Sequence, residues 1–298
     1  MAATRRLKEL ISATLPKLDL PDGPVVVALS GGADSASLAF LAREAGHQPK
    51  AIHIDHQLPA SALMSGAARE IADTLGVPLD IQRVVVGDGP SPEDQARVAR
   101  YEALTRARGP ILTGHTRDDS LETMLINLIR GTGPSGLLGI PRFRPPHIHR
   151  PMLEVTRSET REMATLAGLA FVDDPMNEIS SLTRTRVRLE VMPLLREINP
   201  RVEAALARTA ATLGRDAEYL DRQTPRFDDS QCVPASVVLS LPRALADRVL
   251  HDVLERSGVG PTADRIERMR AVAQGQSDRQ DLADGRVVVR RGAMLVIE

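Results

Sequence analysis

Short apolar runs alternate with longer amphipathic stretches over the first 130 residues of the chain. Such an alternation predicts buried strands that are separated by helices. Strands are predicted at residues 25–29, 51–54, 79–86 and 110–113. Helices are predicted at residues 35–45, 61–75, 91–108 and 118–130. This order predicts an α/β fold in which a parallel sheet is covered by helices on both faces.

A second region begins near residue 200. Its predicted elements are helices at 202–220, 245–257 and 263–272, a polar linker at 221–233 and a terminal hairpin at 285–298. The alternation of the last segment places the hairpin turn at Arg291-Gly292. We therefore expect a larger domain at residues 1–205 and a small, mainly helical domain at residues 206–298 that ends in the hairpin.

The composition predicts a soluble protein of a reducing, cytoplasmic compartment, not associated with a membrane. Of its 298 residues 42% are hydrophobic, and no apolar run reaches the ~20 residues that a membrane-spanning helix requires. The single cysteine, Cys232, excludes an internal disulfide and a CxxC metal or cluster site. His147 and His149 have no cysteine or carboxylate at a metal-ligand spacing, and we predict that they lie in a loop.

Charge and aromatic content limit the ways in which this chain can bind nucleic acid. The net charge is −1, aromatic residues make up 2% of the chain, and tryptophan is absent. A platform on which unpaired bases stack is therefore not expected over most of the surface. Contacts with RNA would depend on shape and on phosphates.

The sequence SGGADS at residues 30–35 lies between the first predicted strand and the first predicted helix. Two glycines let the backbone approach a phosphate closely, and the N-terminus of a helix directs N–H groups at it. The Walker pattern and the dinucleotide pattern GxGxxG are both absent here. The competing interpretation is a glycine-rich turn in which Ser30 or Ser35 caps the helix.

Polar clusters follow three of the predicted strands. They are residues 30–35, 53–56 and 115–119. Because ligands bind beyond the carboxyl ends of the strands in a parallel sheet, these clusters are expected to form one site. In the third cluster, His115, Asp119 and Glu122 recur at spacings of four and three, so they share one face of a helix. By itself such a face also fits a well-capped, solvated first turn.

Arginines are concentrated in two segments. Arg97 and Arg100 lie one turn apart in a predicted helix, and Arg184, Arg186 and Arg188 fall within five residues. The dense run fits either a charged helix with mixed ion pairs or a surface that holds phosphates. The sequence leaves both interpretations open.

Taken together and in this order, the motifs resemble those of the bacterial tRNA(Ile)-lysidine synthetases, from about residue 25 to residue 200. The first motif is shared by all ATP pyrophosphatases with a PP-loop, whereas the combination is specific to this family. The motifs are SGGADS at 30–35, HIDH at 53–56, ExxARxxRY at 93–101, GHxxDDxxET at 114–123, RGTG at 130–133, RPML at 150–153 and DPMN at 174–177.

The resemblance implies an adenine-nucleotide α-hydrolase-like fold and an ATP-dependent carbon–nitrogen ligase. ATP would transfer AMP to the C2 carbonyl oxygen of the wobble cytidine in tRNA(Ile) with a CAU anticodon, and pyrophosphate would leave. The ε-amine of L-lysine would then displace AMP and form lysidine. Mg²⁺ would neutralise the charge of the departing pyrophosphate.

The resemblance also implies roles for individual residues. The expected catalytic residues are Asp34, His115, Asp119 and Glu122. The expected ATP-binding residues are Ser30, Gly31, Gly32, Ala33, Asp34, Ser35 and His53. The expected substrate and tRNA contacts are Asp55, Arg97, Arg100, Arg184, Arg186 and Arg188. Asp34 is also the expected ligand of Mg²⁺.

One chemical conflict stays open. A carboxylate beside the ε-ammonium raises a pKa that is already near ~10.4, yet the attacking amine must be neutral. The acids therefore either hold the α-ammonium of lysine or include one that accepts the proton.

Some positions depart from the family pattern. Gln57 stands where the family has Gly, Pro59 where it has Arg, Met176 where it has Ser and Thr185 where it has Asn. Only Pro59 removes a charged group, so one substrate contact is in question. The chain also resembles a short form of the family that lacks an additional C-terminal domain.

Three other classes of protein are compatible with the first loop but agree less well with the rest of the sequence. A sulfur-transferring tRNA thiolase generally needs paired cysteines or a cluster. An amide-forming ligase such as NAD or GMP synthetase would lack the arginine-rich segment and would pair with a glutaminase part. A non-catalytic nucleotide- or RNA-binding module would not need His115, Asp119 and Glu122 opposite the phosphate loop.

Overall fold

The computed structural model describes residues 2–57, 61–85, 92–107, 109–173, 183–227 and 231–298. The side chains of residues 92–94, 96 and 97 are not described, so the prediction for Arg97 lies outside the described part. The same holds for the predictions on Pro59, Met176 and the motif at 174–177.

Helices and short strands alternate along the first two thirds of the chain. The helices are α1 (Ala2–Thr14), α2 (Ala33–Glu44), α3 (Ser61–Leu75), α4 (Pro92–Arg106), α5 (Arg117–Ile129), α6 (Arg157–Leu166), α7 (Thr183–Arg186), α8 (Met192–Ile198) and α9 (Val202–Gln223). The strands are β1 (Val26–Ala28), β2 (Lys50–Asp55), β3 (Leu79–Arg83), β4 (Ile111–Thr113), β5 (Phe143–Arg144) and β6 (Ile148–His149). A π-helical segment, Val187–Val191, joins α7 to α8.

The six strands form one sheet in the order β3-β2-β1-β4-β6-β5. All neighbouring strands are parallel except β5, which runs antiparallel to β6 at the edge. Val27 in the centre of β1 pairs with Ala51 on one side and with Leu112 on the other. The predicted parallel sheet is thus confirmed, and the strand order reverses between β1 and β4. Ligands bind at such a reversal in open α/β sheets.

Apolar side chains cover both faces of this sheet. On one face Leu38, Leu41 and Ile71 from α2 and α3 pack with Val27 and Leu112 in a single cluster. On the other face Leu104 of α4 packs with strand residues that alternate with these, such as Ile111. Alternation along a strand sends successive side chains to opposite faces, so helices on both sides are required to exclude water.

The prediction that His149 lies in a loop was wrong. His149 is in β6, where it pairs with Leu112, and its ring centroid lies 5.0 Å from that of Phe143. Strands β5 and β6 are two residues long each, too short to produce a periodic pattern. His147 lies outside the strands, and its Nε2 is 3.3 Å from the carbonyl oxygen of Leu104.

Gln57 lies just beyond β2 in a backbone conformation that favours glycine. Its φ is +56°, in the left-handed region that costs a residue with a side chain about 1–2 kcal/mol. This cost accounts physically for the glycine that the family carries here. The Gln57 N–H donates to Asp55 Oδ1 over 2.9 Å, so the turn holds that carboxylate at the end of the strand.

The chain forms two compact units, Met1–Ala210 and Ala211–Glu298, with the division inside α9; we had predicted a boundary after residue 205. The other elements of the second unit are β7 (Cys232–Pro234), α10 (Ala235–Ser240), α11 (Arg243–Arg256), α12 (Ala263–Ala273), β8 (Arg279–Ala283), β9 (Arg286–Arg291) and β10 (Met294–Ile297). Strands β9 and β10 form a hairpin within an antiparallel sheet of order β7-β10-β9-β8. Neither β7 nor β8 was predicted.

Apolar residues from helices and strands share one core in the second unit. Leu250, Met269 and Val288 are fully buried there. Across the described ranges of the whole chain, no helix combines the length and the apolar character that crossing a membrane requires.

Candidate active site

Two loops meet where the strand order reverses. The loop after β1 carries residues 30–35, and the loop after β4 carries residues 114–116. A Cβ atom added to Gly114 would lie 3.0 Å from backbone atoms of Asp34 and Ser35. The close approach of the two loops therefore requires glycine at position 114.

Hydrogen bonds among its own residues shape the first loop. The Ser35 hydroxyl donates to the Gly32 carbonyl over 2.9 Å and accepts from the Ser30 N–H over 3.1 Å. Helix α2 then begins at Ala33, and its N-cap residue, Gly32, has no side chain. The first-turn N–H groups of such a helix end are donors for an anion. The loop is thus held as a closed turn at the helix N-terminus.

Gly31 is constrained more tightly than Gly32. Its φ is +94°, and an added Cβ would lie 2.5 Å from the Met64 carbonyl oxygen. The Gly31 carbonyl also accepts a hydrogen bond from the Val172 N–H over 3.0 Å. At Gly32 the nearest atom to an added Cβ is Ser30 Oγ at 3.7 Å, an ordinary contact distance. Of the two glycines, therefore, Gly31 is the one that the fold itself requires.

His53 lies behind the loop and is almost fully buried. Its Nδ1–H donates to the Leu29 carbonyl over 2.8 Å, and its Nε2 is 3.0 Å from Ser65 Oγ. Burial lowers the pKa of the imidazole, which keeps the ring neutral. Both ring nitrogens are thus engaged within the protein, so His53 acts on the loop through its bond to Leu29.

Asp34, in the first turn of α2, is a poorly neutralised carboxylate. The Thr160 hydroxyl donates to its Oδ1, while Arg157 Nε is 4.0 Å from its Oδ2. Burial raises the pKa of Asp34 to about 6, against the opposing effects of Thr160 and Arg157. Asp34 is therefore suited to bind a cation beside the loop.

Asp119 lies in the first turn of α5, where it forms a capping box with Thr116. The Thr116 N–H and hydroxyl both donate to Asp119 Oδ2 over 2.8 Å, and Arg157 Nη2 donates to Oδ1 over 2.8 Å. Burial alone would raise the pKa of Asp119, but Arg157, His115 and these donors outweigh it and hold the pKa below its usual value. Asp119 is consequently ionised at neutral pH.

His115 is partly buried before the same helix. Its Nδ1 is 3.0 Å from Thr113 Oγ1. Burial lowers the pKa of the His115 imidazole far below its usual value, although Asp119 opposes the shift. The ring is therefore neutral at physiological pH and can donate or accept a hydrogen bond without adding charge.

Glu122 is a buried carboxylate, 2% exposed, that is surrounded by arginines. Arg188 donates to both of its oxygens, over 2.9 Å from Nε and 3.1 Å from Nη2. Arg157 Nη1 donates to Oε1 over 2.9 Å, and Arg184 Nε lies 3.8 Å from Oε2. The two carboxylates of the predicted face, Asp119 and Glu122, are thus paired with arginines, so the first turn is capped but is not simply solvated.

Arg157 contacts carboxylates on both α2 and α5 and is not among the predicted site residues. It is the first residue of α6, and its backbone N–H donates to Asp118 Oδ2 over 2.9 Å. Thr156 and Glu159 form a capping box at this helix start. The TRSE sequence at 156–159 is the sequence signature of such a box, so the helix start could have been predicted. The contacts of Arg157 could not.

The side chains of the predicted arginine run contact two different carboxylates, Glu122 and Glu190. Arg184 and Arg188 are four residues apart and point to the same carboxylate, and Arg184 Nη2 also donates to Thr123 Oγ1 over 2.7 Å. Arg186 lies between them, is exposed and pairs with Glu190. All three arginines thus pair with carboxylates in this structure, and the interpretation of the run as a phosphate-holding surface stays a prediction.

Asp55 and Arg100, also predicted as substrate contacts, make other contacts in this structure. The Gln57 N–H holds the pKa of Asp55 below its usual value, with burial opposing. Arg83 Nε is 3.9 Å from Asp55 Oδ2. The Arg100 guanidinium lies 5.5 Å from the centre of the Tyr101 ring.

Comparisons with known proteins show which family the sequence matches. The family model of the PP-loop domain matches residues 2–195. A tRNA(Ile)-lysidine synthase of Salinispora arenicola is 38% identical, and the match covers all of this chain and 96% of that protein. One of Salinispora tropica is 41% identical, and the match covers 83% of this chain and 80% of that protein. The chain belongs to the tRNA(Ile)-lysidine synthase family. The family's Thermus thermophilus member is 36% identical, and this chain spans 57% of its length.

A solved structure with the same fold comes from a different enzyme. The U34-tRNA thiolase NcsA of Methanococcus maripaludis, described with its [4Fe-4S] cluster, superposes with a TM-score of 0.57 at 19% identity. The match covers 71% of this chain and 80% of that one. At this identity the likeness shows the PP-loop fold alone.

The described residues contain no group of three or more His, Cys, Asp or Glu side chains placed to hold an ion. Mg²⁺ in nucleotide sites takes one or two carboxylates together with substrate phosphates. The oxygen of Asp34 that lies 4.0 Å from Arg157 fits such a role. Magnesium would then arrive with the nucleotide.

The two loop glycines provide the first test of this geometry. Gly31→Ala is expected to lower the free energy of unfolding by about 2 kcal/mol or more, because it combines a left-handed φ with a backbone clash. Gly32→Ala is the matched control and should stay within about 1 kcal/mol of the unmodified protein. Urea unfolding measures both variants. Equal losses would contradict the assigned loop conformation.

The raised pKa of Asp34 provides the second test. Between its ordinary pKa of 3.8 and about 6, the folded state binds more protons than the unfolded state. The stability contributed by this group is therefore fully present below pH 3.8 and is lost as the pH rises through 6. Asp34→Asn should be more stable than the unmodified protein by about 1–3 kcal/mol at pH 8.

This difference should shrink as the pH falls toward 4.5, and urea unfolding at several pH values measures it. Asp173→Asn, which alters an exposed aspartate paired with Arg161, is the control. An advantage of Asp34→Asn that grows toward low pH would contradict the sign of the shift.

Proposed function

We propose that this protein uses ATP to convert the wobble cytidine of tRNA(Ile) into lysidine. The single observation that carries the proposal is the arrangement at the strand reversal. There a phosphate loop and its carboxylate, Asp34, lie next to the arginine-bound carboxylates Asp119 and Glu122, and Arg157 contacts all three within 4.0 Å. One group of elements thus provides a nucleotide site and a site for a charged amine, as the family's reaction requires.

In the first step, the loop would hold ATP for attack on its α-phosphorus. The C2 carbonyl oxygen of the wobble cytidine in the CAU anticodon forms the new P–O bond, and pyrophosphate leaves. The N–H groups at the start of α2 stabilise negative charge on the phosphates. Asp34 would hold Mg²⁺, which neutralises charge on the departing pyrophosphate.

In the second step, the ε-amine of L-lysine would attack the activated C2. A C–N bond forms, the C2–O bond breaks, AMP carries that oxygen away, and the amine releases a proton to water. Asp119 stays ionised at neutral pH because Arg157 and Thr116 stabilise its charge, so it is a weak proton acceptor. This supports the alternative in which Asp119 and Glu122 hold the α-ammonium, leaving the ε-amine to react neutral.

Arginines would serve the two substrates differently. Arg184 and Arg188 contact Glu122 and would also stabilise anionic groups of the reacting centre. Arg186 is exposed and pairs with Glu190, a type of contact worth about 0–1 kcal/mol. Arg186 would therefore bind a tRNA phosphate at little cost, and Arg97 and Arg100 are the other expected contacts with tRNA phosphates.

The test is transfer of radiolabelled lysine to transcribed tRNA(Ile) bearing CAU, with Mg-ATP. Label should enter only tRNA that carries the wobble cytidine, and Asp34→Ala should abolish it. Glu122→Gln should lower kcat/KM for lysine by about 100-fold, because it removes the charge that orients the amine. Glu162→Gln alters an exposed glutamate on α6 and should retain activity.

Two further results complete this test. Thermal melting of Glu122→Gln separates a folding defect from a loss of lysine binding. Cleavage of ATP to AMP with a different acceptor, and no lysine incorporation, would keep the fold and overturn the substrate assignment.

A further inference from the structure

Arg157 occupies a position that helix stability does not explain. It is the first residue of α6, where the helix dipole disfavours a cation. The neighbouring carboxylates outweigh this unfavourable interaction with the dipole. Burial alone would lower the pKa of Arg157, but Asp119 and Glu122 hold the pKa above its usual value. The residue is therefore placed for its contacts with the site.

The guanidinium of Arg157 contacts two parts of the site, the start of α5 and the start of α2. Its Nη atoms donate to Asp119 Oδ1 over 2.8 Å and to Glu122 Oε1 over 2.9 Å, both on α5. Its Nε lies 4.0 Å from Asp34 Oδ2, on the phosphate loop side. Glu122 has a second, bidentate partner in Arg188, so Arg157 is not needed merely to neutralise it.

We propose that Arg157 is a positioning residue that couples occupancy of the phosphate loop to binding of the lysine ammonium. The inference rests on the proposed function, in which Asp119 and Glu122 hold that ammonium. In the protein without ligands, Arg157 competes with lysine for the same carboxylate oxygens. The polyphosphate of ATP attracts the guanidinium toward the loop, where Asp34 already faces it. Asp119 and Glu122 are then released for the amine.

The sign of the coupling follows from this exchange. ATP must increase the affinity for lysine, and by linkage lysine must increase the affinity for ATP by the same factor. Removing Arg157 removes the competitor, so lysine should bind more tightly without nucleotide and should no longer respond to it. A residue with a purely structural role would weaken lysine binding when removed.

The experiment is calorimetric titration of L-lysine into the full chain with the tRNA transcript, with and without Mg²⁺ and α,β-methylene-ATP, which cannot be cleaved at the reacting bond. The analogue should tighten lysine binding at least fivefold in the unmodified protein. In Arg157→Gln, lysine should bind at least threefold more tightly without the analogue, and the analogue should change the Kd less than twofold.

Two variants serve as controls. Arg6→Gln removes a bidentate arginine–glutamate pair to α6 on the surface, away from the site, and should keep the full response. Arg157→Lys keeps the charge but cannot bridge two carboxylates at once, so its response should be less than half that of the unmodified protein. The Lys variant also provides the test if Arg157→Gln does not fold.

The outcomes are distinguishable from those of the proposed function. Absence of any lysine binding overturns both the proposed substrate and the coupling. Lysine binding that the analogue does not change in the unmodified protein, or that it changes equally in Arg157→Gln, overturns the coupling alone.

Discussion

The arrangement of the site depends on one buried carboxylate. Glu122 is 2% exposed, and an ionised carboxylate at such a position is stable only with charged partners. Its partners come from chain segments far from it in sequence, Arg157 at the start of α6 and Arg184 and Arg188 after residue 183. Glu122 thus links α5 to α6 and to the helical segment that begins at Thr183.

The same constraint determines the charge balance that a substrate meets. Arg157, Arg184 and Arg188 neutralise Asp119 and Glu122 before an amine arrives, whereas Asp34 faces Arg157 at a distance of 4.0 Å. A positively charged substrate must compete with an arginine instead of filling an empty acidic pocket. The strand reversal between β1 and β4 places this balanced cluster beside the phosphate loop, and the contact at Gly114 keeps the two loops together.

Much of this architecture could be predicted from the sequence, because strong local signals produced it. Apolar runs that alternate with helical periodicity predicted β1 to β4 and the helices around them, and polar residues after β1 and β4 predicted the site. The other features of the site depend on interactions between residues that are far apart in the sequence. Arg157 has an unremarkable local context, His53 is engaged behind the loop by Leu29 and Ser65, and Arg186 points away from its neighbours. Strands β5 to β8 are short or lack alternation, so periodicity does not find them.

A double-mutant cycle on the free energy of unfolding tests the central role of Glu122 most directly. Glu122→Gln, Arg188→Gln and the double variant would be compared by urea unfolding without ligands. Each single variant removes one charged partner of the group that remains in a partly buried cluster, whereas the double variant removes both charges. We predict that the double variant is less destabilised than the sum of the single variants, by about 1–3 kcal/mol. Additivity to within about 0.5 kcal/mol would contradict the account.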